Sequence, residues 1–170
     1  ARRTENLLTY SEDFSNAAWL KAACSGAANT TTAPDGTLTA DTLTATGTSN
    51  HYAYQPITLA EGTHCLSVRA KYIDIPYLYI RIYDGVTYRG ASFNISSGST
   101  GIVSASTAAS ITSLGNGWFE CTITATLAAG AGNILIALNT IDNNSFNSWA
   151  SVGTEATYIW GAQLENVANQ

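Results

Sequence analysis

Charged residues are scarce in this sequence. Of its 170 residues, 7 are Lys or Arg and 12 are Asp or Glu, so charged side chains make up 11% of the chain, against about 25% in ordinary globular proteins. The formal net charge is -5. Because binding to phosphates or to anionic lipids requires clustered Lys and Arg, this composition excludes nucleic acid as an expected partner and argues against binding to a membrane.

Long apolar runs are also missing. The longest candidates, such as residues 133–138, have the length of a strand, whereas a helix that crosses a bilayer needs about 20 apolar residues. The chain begins Ala-Arg-Arg with no apolar stretch behind it, so we expect a signal peptide to be either absent or already removed. There is no internal repeat and no low-complexity linker, which predicts a single domain over residues 1–170.

Cysteine is rare and is not spaced for pairing. The three cysteines, Cys24, Cys65 and Cys121, are an odd number at wide spacing, which argues against a disulfide framework and against a paired zinc motif. We expect buried free thiols that pack as small hydrophobes. Such thiols suit assembly in a reducing cytoplasm.

Catalytic motifs are absent as well. His51 stands beside Tyr52, and His64 begins an alternating segment, but neither lies in a GxSxG, HExxH or Cys-His context. The carboxylates are scattered, unlike those of a calcium loop or of a paired general acid and base. We therefore expect no catalytic residues, no enzymatic activity and no cofactor other than the calcium ion considered below.

The sequence does contain the two-residue alternation of half-buried β-strands, most clearly in residues 63–72, 77–83 and 119–127. The expected inward sets are Leu66, Val68, Ala70 and Tyr72, then Leu78, Ile80 and Ile82, then Phe119, Cys121, Ile123, Ala125 and Leu127. Further strands are expected at residues 38–46, 52–57, 88–95, 109–114, 134–139 and 157–164. One continuous core should contain Leu66, Val68, Ile80, Ile82, Ile123, Ile136 and Leu138.

Turn signals separate these strands. They occur at Pro34-Asp35-Gly36, Asp84-Gly85 and Gly115-Asn116-Gly117, and Asp84-Gly85 favours a hairpin because this pair readily adopts positive φ angles. Residues 11–19 favour one or two helical turns at most, while residues 29–35 and 142–153 are expected to be long loops. Together these signals predict an all-β fold in which two antiparallel sheets form a sandwich.

Three segments carry a resemblance to a known family. They are NLLTYSEDFSNAAW at 6–19, GNGWFECTIT at 115–124 and YIWGAQLEN at 158–166. They resemble the repeated signature of jelly-roll modules in tailed-phage virion proteins, which serve as head spikes or head fibres, capsid decoration, tail-fibre segments and carbohydrate-binding-like domains. The resemblance implies a jelly-roll β-sandwich whose N- and C-terminal segments are adjacent.

The same resemblance implies a function. It is that of a non-catalytic virion structural protein, assembled in the host cytoplasm, which forms a homo-oligomer, with a trimer favoured, contacts other virion proteins and binds cell-surface polysaccharide. The alternative is a carbohydrate-binding module from a polysaccharide-degrading enzyme. The resemblance also implies a structural calcium between the first and last strands, near Glu12, Asp13 and Glu165, whereas from the residues alone these carboxylates are caps and turns.

The first candidate binding surface is a stripe on one strand, formed by Tyr77, Tyr79, Arg81 and Tyr83. Flat rings on a sheet face stack sugars, and Tyr and Arg are also enriched at subunit interfaces. Three alternatives stay open at this point: contact with a second subunit, packing within the domain, and binding of a glycan.

The second candidate surface is the loop at 142–153, which places Phe146 and Trp149 among Asn143, Asn144 and Asn147. These rings are candidates for stacking on a glycan, for anchoring a neighbouring virion protein, or for local packing.

Two further tryptophans, Trp118 and Trp160, are expected to be core anchors. Gly161 is expected to let the backbone approach a ring that faces Trp160.

Overall fold

The computed structural model describes residues 5–167. Within this range the chain forms strands joined by turns, and none of it forms a helix of the length and apolarity that crossing a membrane requires. The strands are β1 (Leu20–Ala22), β2 (Cys24–Thr31), β3 (Ala40–Ala45), β4 (Thr48–Ser49), β5 (Tyr52–Leu59), β6 (Gly62–Tyr72), β7 (Tyr77–Tyr83), β8 (Tyr88–Asn94), β9 (Ser99–Val103), β10 (Thr107–Gly115), β11 (Trp118–Leu127), β12 (Gly130–Asn139), β13 (Trp149–Ala150) and β14 (Ala156–Asn166).

Twelve of the strands form two six-stranded antiparallel sheets, and β4 and β13 pair in a separate two-stranded sheet. The front sheet has the order β1-β5-β12-β7-β8-β9, and the back sheet has the order β10-β11-β6-β14-β3-β2. Their central strands, β5-β12-β7-β8 and β3-β14-β6-β11, are the two four-stranded sheets of a jelly roll, and the chain crosses repeatedly from one sheet to the other. The predicted all-β sandwich of two antiparallel sheets is therefore confirmed.

The core lies between the two sheets and has the strand phases expected from the alternation. All seven predicted core residues are fully buried in one apolar cluster: Leu66, Val68, Ile80, Ile82, Ile123, Ile136 and Leu138. One inward assignment was wrong, since Tyr72 is 43% exposed. Tyr72 is the last residue of β6, where the chain leaves the core, and its backbone pairs with Thr157 at the end of the ladder.

The N- and C-terminal segments are adjacent, as expected. The Leu7 N–H donates to the Leu164 carbonyl at 2.8 Å, and the Ala162 N–H donates to the Ser11 carbonyl at 3.0 Å. The Asn6 side chain adds bonds to the backbone at Ala162 and Leu164, of 3.0 Å each. The N-terminal segment is thus hydrogen-bonded to the last strand of the back sheet.

Two local expectations need correction. Residues 11–19 form successive single turns, in which Asn16 N–H donates to Asp13 and Trp19 N–H donates to Asn16. A helix is not formed because Phe14 and Trp19 both insert into the core, with ring centres 4.8 Å apart. The loop expected at 29–35 is shorter, since β2 continues to Thr31 through a bulge against β3.

The expected hairpin at Asp84-Gly85 joins β7 to β8. Its loop has four residues rather than two, and of the Asp84-Gly85 pair only Gly85 has a positive φ, of 92°. The buried Asp84 carboxylate accepts the backbone N–H groups of Val86, Thr87 and Ala128 at 2.9, 2.7 and 3.0 Å. Burial alone would raise the pKa of Asp84, but these bonds outweigh it and lower the pKa to about 2.

The cysteines are free thiols, as expected. Cys121 is buried in the core and Cys24 packs against it, whereas Cys65 is half-buried outside that cluster. Burial raises the pKa of Cys24 to about 12, with a smaller opposing effect of Lys21. These thiols are therefore poor nucleophiles at neutral pH.

Trp118 and Trp160 lie on the outer face of the back sheet, in a small cluster separate from the main core. Each indole is hydrogen-bonded, Trp118 to the Thr32 carbonyl at 3.2 Å and Trp160 to the Thr39 hydroxyl at 3.0 Å. They anchor the connection between β2 and β3, so the expectation of core anchors is confirmed for the buried Trp118, with the half-buried Trp160 packed against the same small cluster.

Gly161 has a different role from the one expected. It has a positive φ of 63° in the bulge where β14 pairs with β6. An added Cβ would lie 3.2 Å from a guanidinium nitrogen of Arg69, which itself donates to the Gly161 carbonyl at 2.7 Å. Glycine is therefore needed for backbone conformation and for contact with Arg69, not for the approach of a ring.

Candidate functional site

Aromatic side chains line the outer face of the front sheet. The apolar residues of β7 point into the core, so that Tyr77, Tyr79, Arg81 and Tyr83 point outward. The ladder places outward side chains of β5, β12 and β8 beside them in three rows: Tyr54, Leu135, Arg81 and Gly90; then Tyr52, Ala137, Tyr79 and Ser92; then Asn133, Tyr83 and Tyr88.

Phe146 reaches this surface from the loop at 142–153. Its ring stacks on Tyr52, with ring centres 4.8 Å apart and planes inclined by 14°. We call the resulting surface the aromatic face; it comprises Tyr52, Tyr54, Tyr79, Arg81, Tyr83, Tyr88 and Phe146. The structure therefore brings the two surfaces expected from the sequence together into one site.

Amide side chains hold the loop that carries Phe146. The buried Asn139 donates to the Ser145 carbonyl at 2.8 Å and accepts the Asn147 N–H at 3.4 Å. Asn143 donates to the Phe146 carbonyl at 3.0 Å. Asn143 and Asn147 are thus engaged within the loop, which leaves the exposed Asn144 as the asparagine that lines the site.

Arg81 is at the centre of the aromatic face and is only 9% exposed. Its guanidinium carbon lies 4.6 Å from the centre of the Tyr88 ring and 5.4 Å from that of Phe146. One terminal nitrogen donates to Asn133 Oδ1 at 3.2 Å. Burial lowers the pKa of Arg81, an effect that the neighbouring tyrosines partly oppose.

The tyrosines pack around this cation. Tyr83 stacks on Tyr88, with ring centres 4.4 Å apart and planes inclined by 15°. Tyr79 is 2% exposed, and its ring lies over Gly90, where any Cβ would lie 2.6 Å from the tyrosine hydroxyl. Burial raises the pKa of Tyr79, against a smaller lowering effect of Arg81.

Two shallow clefts flank Phe146, and both reach Arg81. One has a volume of about 330 Å³ and is lined by Tyr79, Arg81, Tyr88 and residues 144–146. The other, of about 220 Å³, is lined by Tyr52, Tyr54, Arg81, Asn133, Leu135 and Phe146. Ligand sites commonly measure about 300–1,000 Å³, so the first cleft is at the lower end of that range and the second is below it, which suits a small unit such as one sugar ring.

Comparison with known proteins gives a fold rather than a family. No model of a known protein family matches the sequence, and no curated protein is significantly similar to it. The solved structure of TmCBM61 in complex with β-1,4-galactotriose aligns with a TM-score of 0.58 at 11% identity, over 95% of this chain and 99% of that one. The chain thus shares its β-sandwich fold with this structure.

A phage protein has the same fold in part. The enzymatically active domain of tailspike protein 4 from bacteriophage CBA120 aligns with a TM-score of 0.58 at 13% identity. The alignment covers 95% of this chain but only 21% of that one. The β-sandwich of this chain thus corresponds to one part of the longer tailspike chain.

In this β-sandwich, the stripe expected on β7 is not an open surface. Tyr79 and Arg81 are buried because Phe146 and Tyr88 lie beside and over them, which is packing within the domain. Tyr77 is half-buried at the end of β7 and lines neither cleft. The residues that sequence reasoning missed, Tyr52, Tyr54, Tyr88 and Asn133, follow the same alternation in neighbouring strands.

Trp149 packs locally and is not part of the aromatic face. Its indole N–H donates to the Leu138 carbonyl at 3.0 Å, and its ring lies 4.5 Å from that of His51. The buried His51 contacts the carbonyl oxygens of Ala23 and Trp149 at 2.6 and 3.0 Å. Both side chains therefore attach the end of the loop to the sandwich.

The carboxylates considered for calcium are not gathered into one cluster. Within residues 5–167, no group of three or more His, Cys, Asp or Glu side chains is arranged to hold a metal ion. Asp13 accepts hydrogen bonds from the backbone and hydroxyl of Ser15, and Glu165 accepts one from Gln163. Glu12 lines a separate cleft beside Arg69 and Trp160. Calcium binding near Glu12, Asp13 and Glu165 stays a prediction.

Another cleft, of about 440 Å³, lies on the back sheet between the β2–β3 and β10–β11 connections. It is lined by Lys71 and Trp118 together with small and polar residues. Trp118 is 3% exposed and its N–H is already bonded, so this cleft offers no open ring for stacking. The aromatic face is the better candidate site.

Proposed function

We propose that this chain is a non-catalytic glycan-binding module and that the aromatic face is its binding surface. The observation that carries the proposal is the arrangement of Phe146, Tyr52 and Tyr88 around two clefts that meet at Arg81. Sugar C–H groups stack on aromatic rings, and fixed polar groups such as Arg81 and Asn133 orient the hydroxyls. The fold shared with TmCBM61, whose structure contains a galactotriose, supports this assignment.

The proposal is tested with a glycan microarray that includes β-1,4-galactan, host-cell surface polysaccharides and plant polysaccharides. The unaltered protein should bind at least one glycan class, and Phe146→Ala should weaken that binding by about 10-fold, the effect of losing one stacked ring. Tyr72→Ala is the matched control, since Tyr72 is an exposed ring on the other sheet. Equal loss in both variants, or no loss in Phe146→Ala, would contradict the assignment.

We further propose that the module belongs to a phage virion, as a head-fibre, decoration or tail-fibre component that contacts other virion proteins. The likeness to part of a phage tailspike supports this context. Because only 11% of the residues are charged, electrostatic repulsion between copies of the chain is weak. A homo-oligomer, with a trimer favoured, is therefore part of the proposal.

The rival context is a carbohydrate-binding module of a polysaccharide-degrading enzyme, which the 99% coverage of TmCBM61 favours. The two contexts differ in assembly. Sedimentation at low micromolar concentration should show a trimer for the virion component and a monomer for the rival. Detection of the protein in purified phage particles then decides between them.

A further inference from the structure

Arg81 is a buried cation without a carboxylate partner. Within residues 5–167, its guanidinium makes one hydrogen bond, to the amide oxygen of Asn133. Its Nε is buried and has no partner. By contrast, Arg69 on the back sheet pairs with Glu120 at 2.7 Å and also donates to the Gly161 carbonyl. Arg81 thus has the aromatic surroundings of a binding site and lacks the counter-charge that Arg69 has.

The rings around Arg81 do not replace that counter-charge. Tyr88 and Phe146 attract the cation through their π faces, but a ring face is not an acceptor for the guanidinium N–H groups. A guanidinium carries five N–H donors in a planar fork that matches a carboxylate. An arginine this buried is usually paired, because leaving its donors empty costs free energy. A ligand anion is the missing partner.

The two clefts beside Arg81 are where such an anion can reach its guanidinium. Arg81 lines both clefts, and Phe146 separates them. A sugar acid held in either cleft therefore has Arg81 within reach of the carboxylate that projects from the edge of its ring.

We propose, on the basis of the glycan-binding function above, that the bound glycan is acidic and that a sugar carboxylate pairs with Arg81. The carboxylate and the Arg81 guanidinium then form charge-assisted hydrogen bonds, in addition to the contact of the sugar ring with the aromatic side chains of the cleft. Since the rest of the protein has a net negative charge, the preference for an acidic glycan comes from this local contact and not from long-range electrostatic attraction.

The test compares two probes that differ only in the charge: tetragalacturonate and its methyl ester, each titrated by calorimetry into the unaltered protein. Sialyllactose and its methyl ester form a second matched pair. We expect each acidic probe to bind at least about 10-fold more tightly than its neutral counterpart. Binding of the acidic probes should weaken as the salt concentration rises.

Two variants test whether Arg81 causes the preference for the acidic probe. Arg81→Gln should remove the preference for the acidic probe, while Arg69→Gln, which removes the same charge from the back sheet, should keep it. Thermal unfolding of both variants checks that they fold, and the comparison of probes on the unaltered protein does not depend on either.

The possible failures are distinguishable. If neutral and acidic probes bind equally well, glycan binding stands and the inference about Arg81 is wrong. If no probe in the matched pairs or on the microarray binds, the proposed function is wrong and the inference falls with it.

Discussion

At the scale of single residues, the site and the scaffold use polar groups differently. The Asp84 carboxylate has donors from two turns, the β7–β8 hairpin and the connection from β11 to β12. Arg81, three residues before Asp84 in the chain, has rings on both sides and one acceptor. A satisfied buried charge stabilises the fold, whereas an unsatisfied one indicates a place for a ligand.

Asp84 predicts a specific acid sensitivity. Its folded pKa of about 2 is below the ordinary value of 3.8, so its stabilising effect is complete above about pH 5 and is lost as the pH falls toward 2. Asp84→Asn should lower the free energy of unfolding at neutral pH by about 2 kcal/mol. The difference from the unaltered protein should shrink between about pH 5 and pH 2, as measured by urea unfolding.

The control for this prediction is Asp35→Asn, in an exposed turn where the carboxylate accepts only from Thr37. It should change stability much less. A difference between Asp84→Asn and the unaltered protein that is constant across the pH range would show that the charge of Asp84 is not what stabilises the hairpin.

At the scale of elements, the loop at 142–153 determines the shape of the site. Its conformation depends on bonds between side-chain amides and backbone, and Asn139 makes two of them at the end of β12. The Asp142 carboxylate adds a bond from the Ile102 N–H of β9 at 2.9 Å. Phe146 is thus held in place before any ligand binds, which reduces the entropy lost on binding.

Asn139→Ala should release this loop. We expect the free energy of unfolding to fall by about 1–2 kcal/mol, because the Ser145 carbonyl and the Asn147 N–H lose their partner. Glycan binding should weaken as well, although Asn139 itself touches neither cleft. Asn16→Ala, which removes an asparagine bond in the N-terminal segment, should leave glycan binding unchanged. Equal glycan affinity in Asn139→Ala and the unaltered protein would contradict this role.

The sequence predicted the central strands because each has one buried face and therefore a visible period of two. It missed the edge strands β1, β2 and β9, whose side chains are exposed or half-buried and carry no such period, and the two-residue strands β4 and β13. The outward residues of β7 were likewise predictable as a set. The docking of Phe146 on Tyr52 was not, since it depends on amide contacts across a loop that leave no periodic pattern in the sequence.

At the scale of the whole molecule, the sandwich is closed by its terminal segments. Leu8, Phe14 and Trp19 all precede the first strand, and all three are buried in the main core. Asp41 fastens this segment by accepting the Phe14 N–H at 2.6 Å. The N-terminal segment is therefore part of the fold and not a tail.

Deletion of residues 1–19 should unfold the domain. Removing three large buried side chains forfeits about 5–9 kcal/mol of apolar burial, which is comparable to the total stability of a small domain, about 5–15 kcal/mol. Circular dichroism and thermal melting of the deletion variant check this expectation. A variant that melts cooperatively near the temperature of the full chain would contradict it.

The central claim is that the aromatic face binds glycan, and an NMR titration of the isotope-labelled protein tests it most directly. The titrant is the glycan with the highest affinity on the microarray. The account predicts that the largest shifts fall on the backbone amides of Tyr79, Arg81 and Phe146, with little change at Lys71 and Trp118 beside the back-sheet cleft. Shifts centred on Lys71 and Trp118, with the aromatic face unchanged, would contradict it.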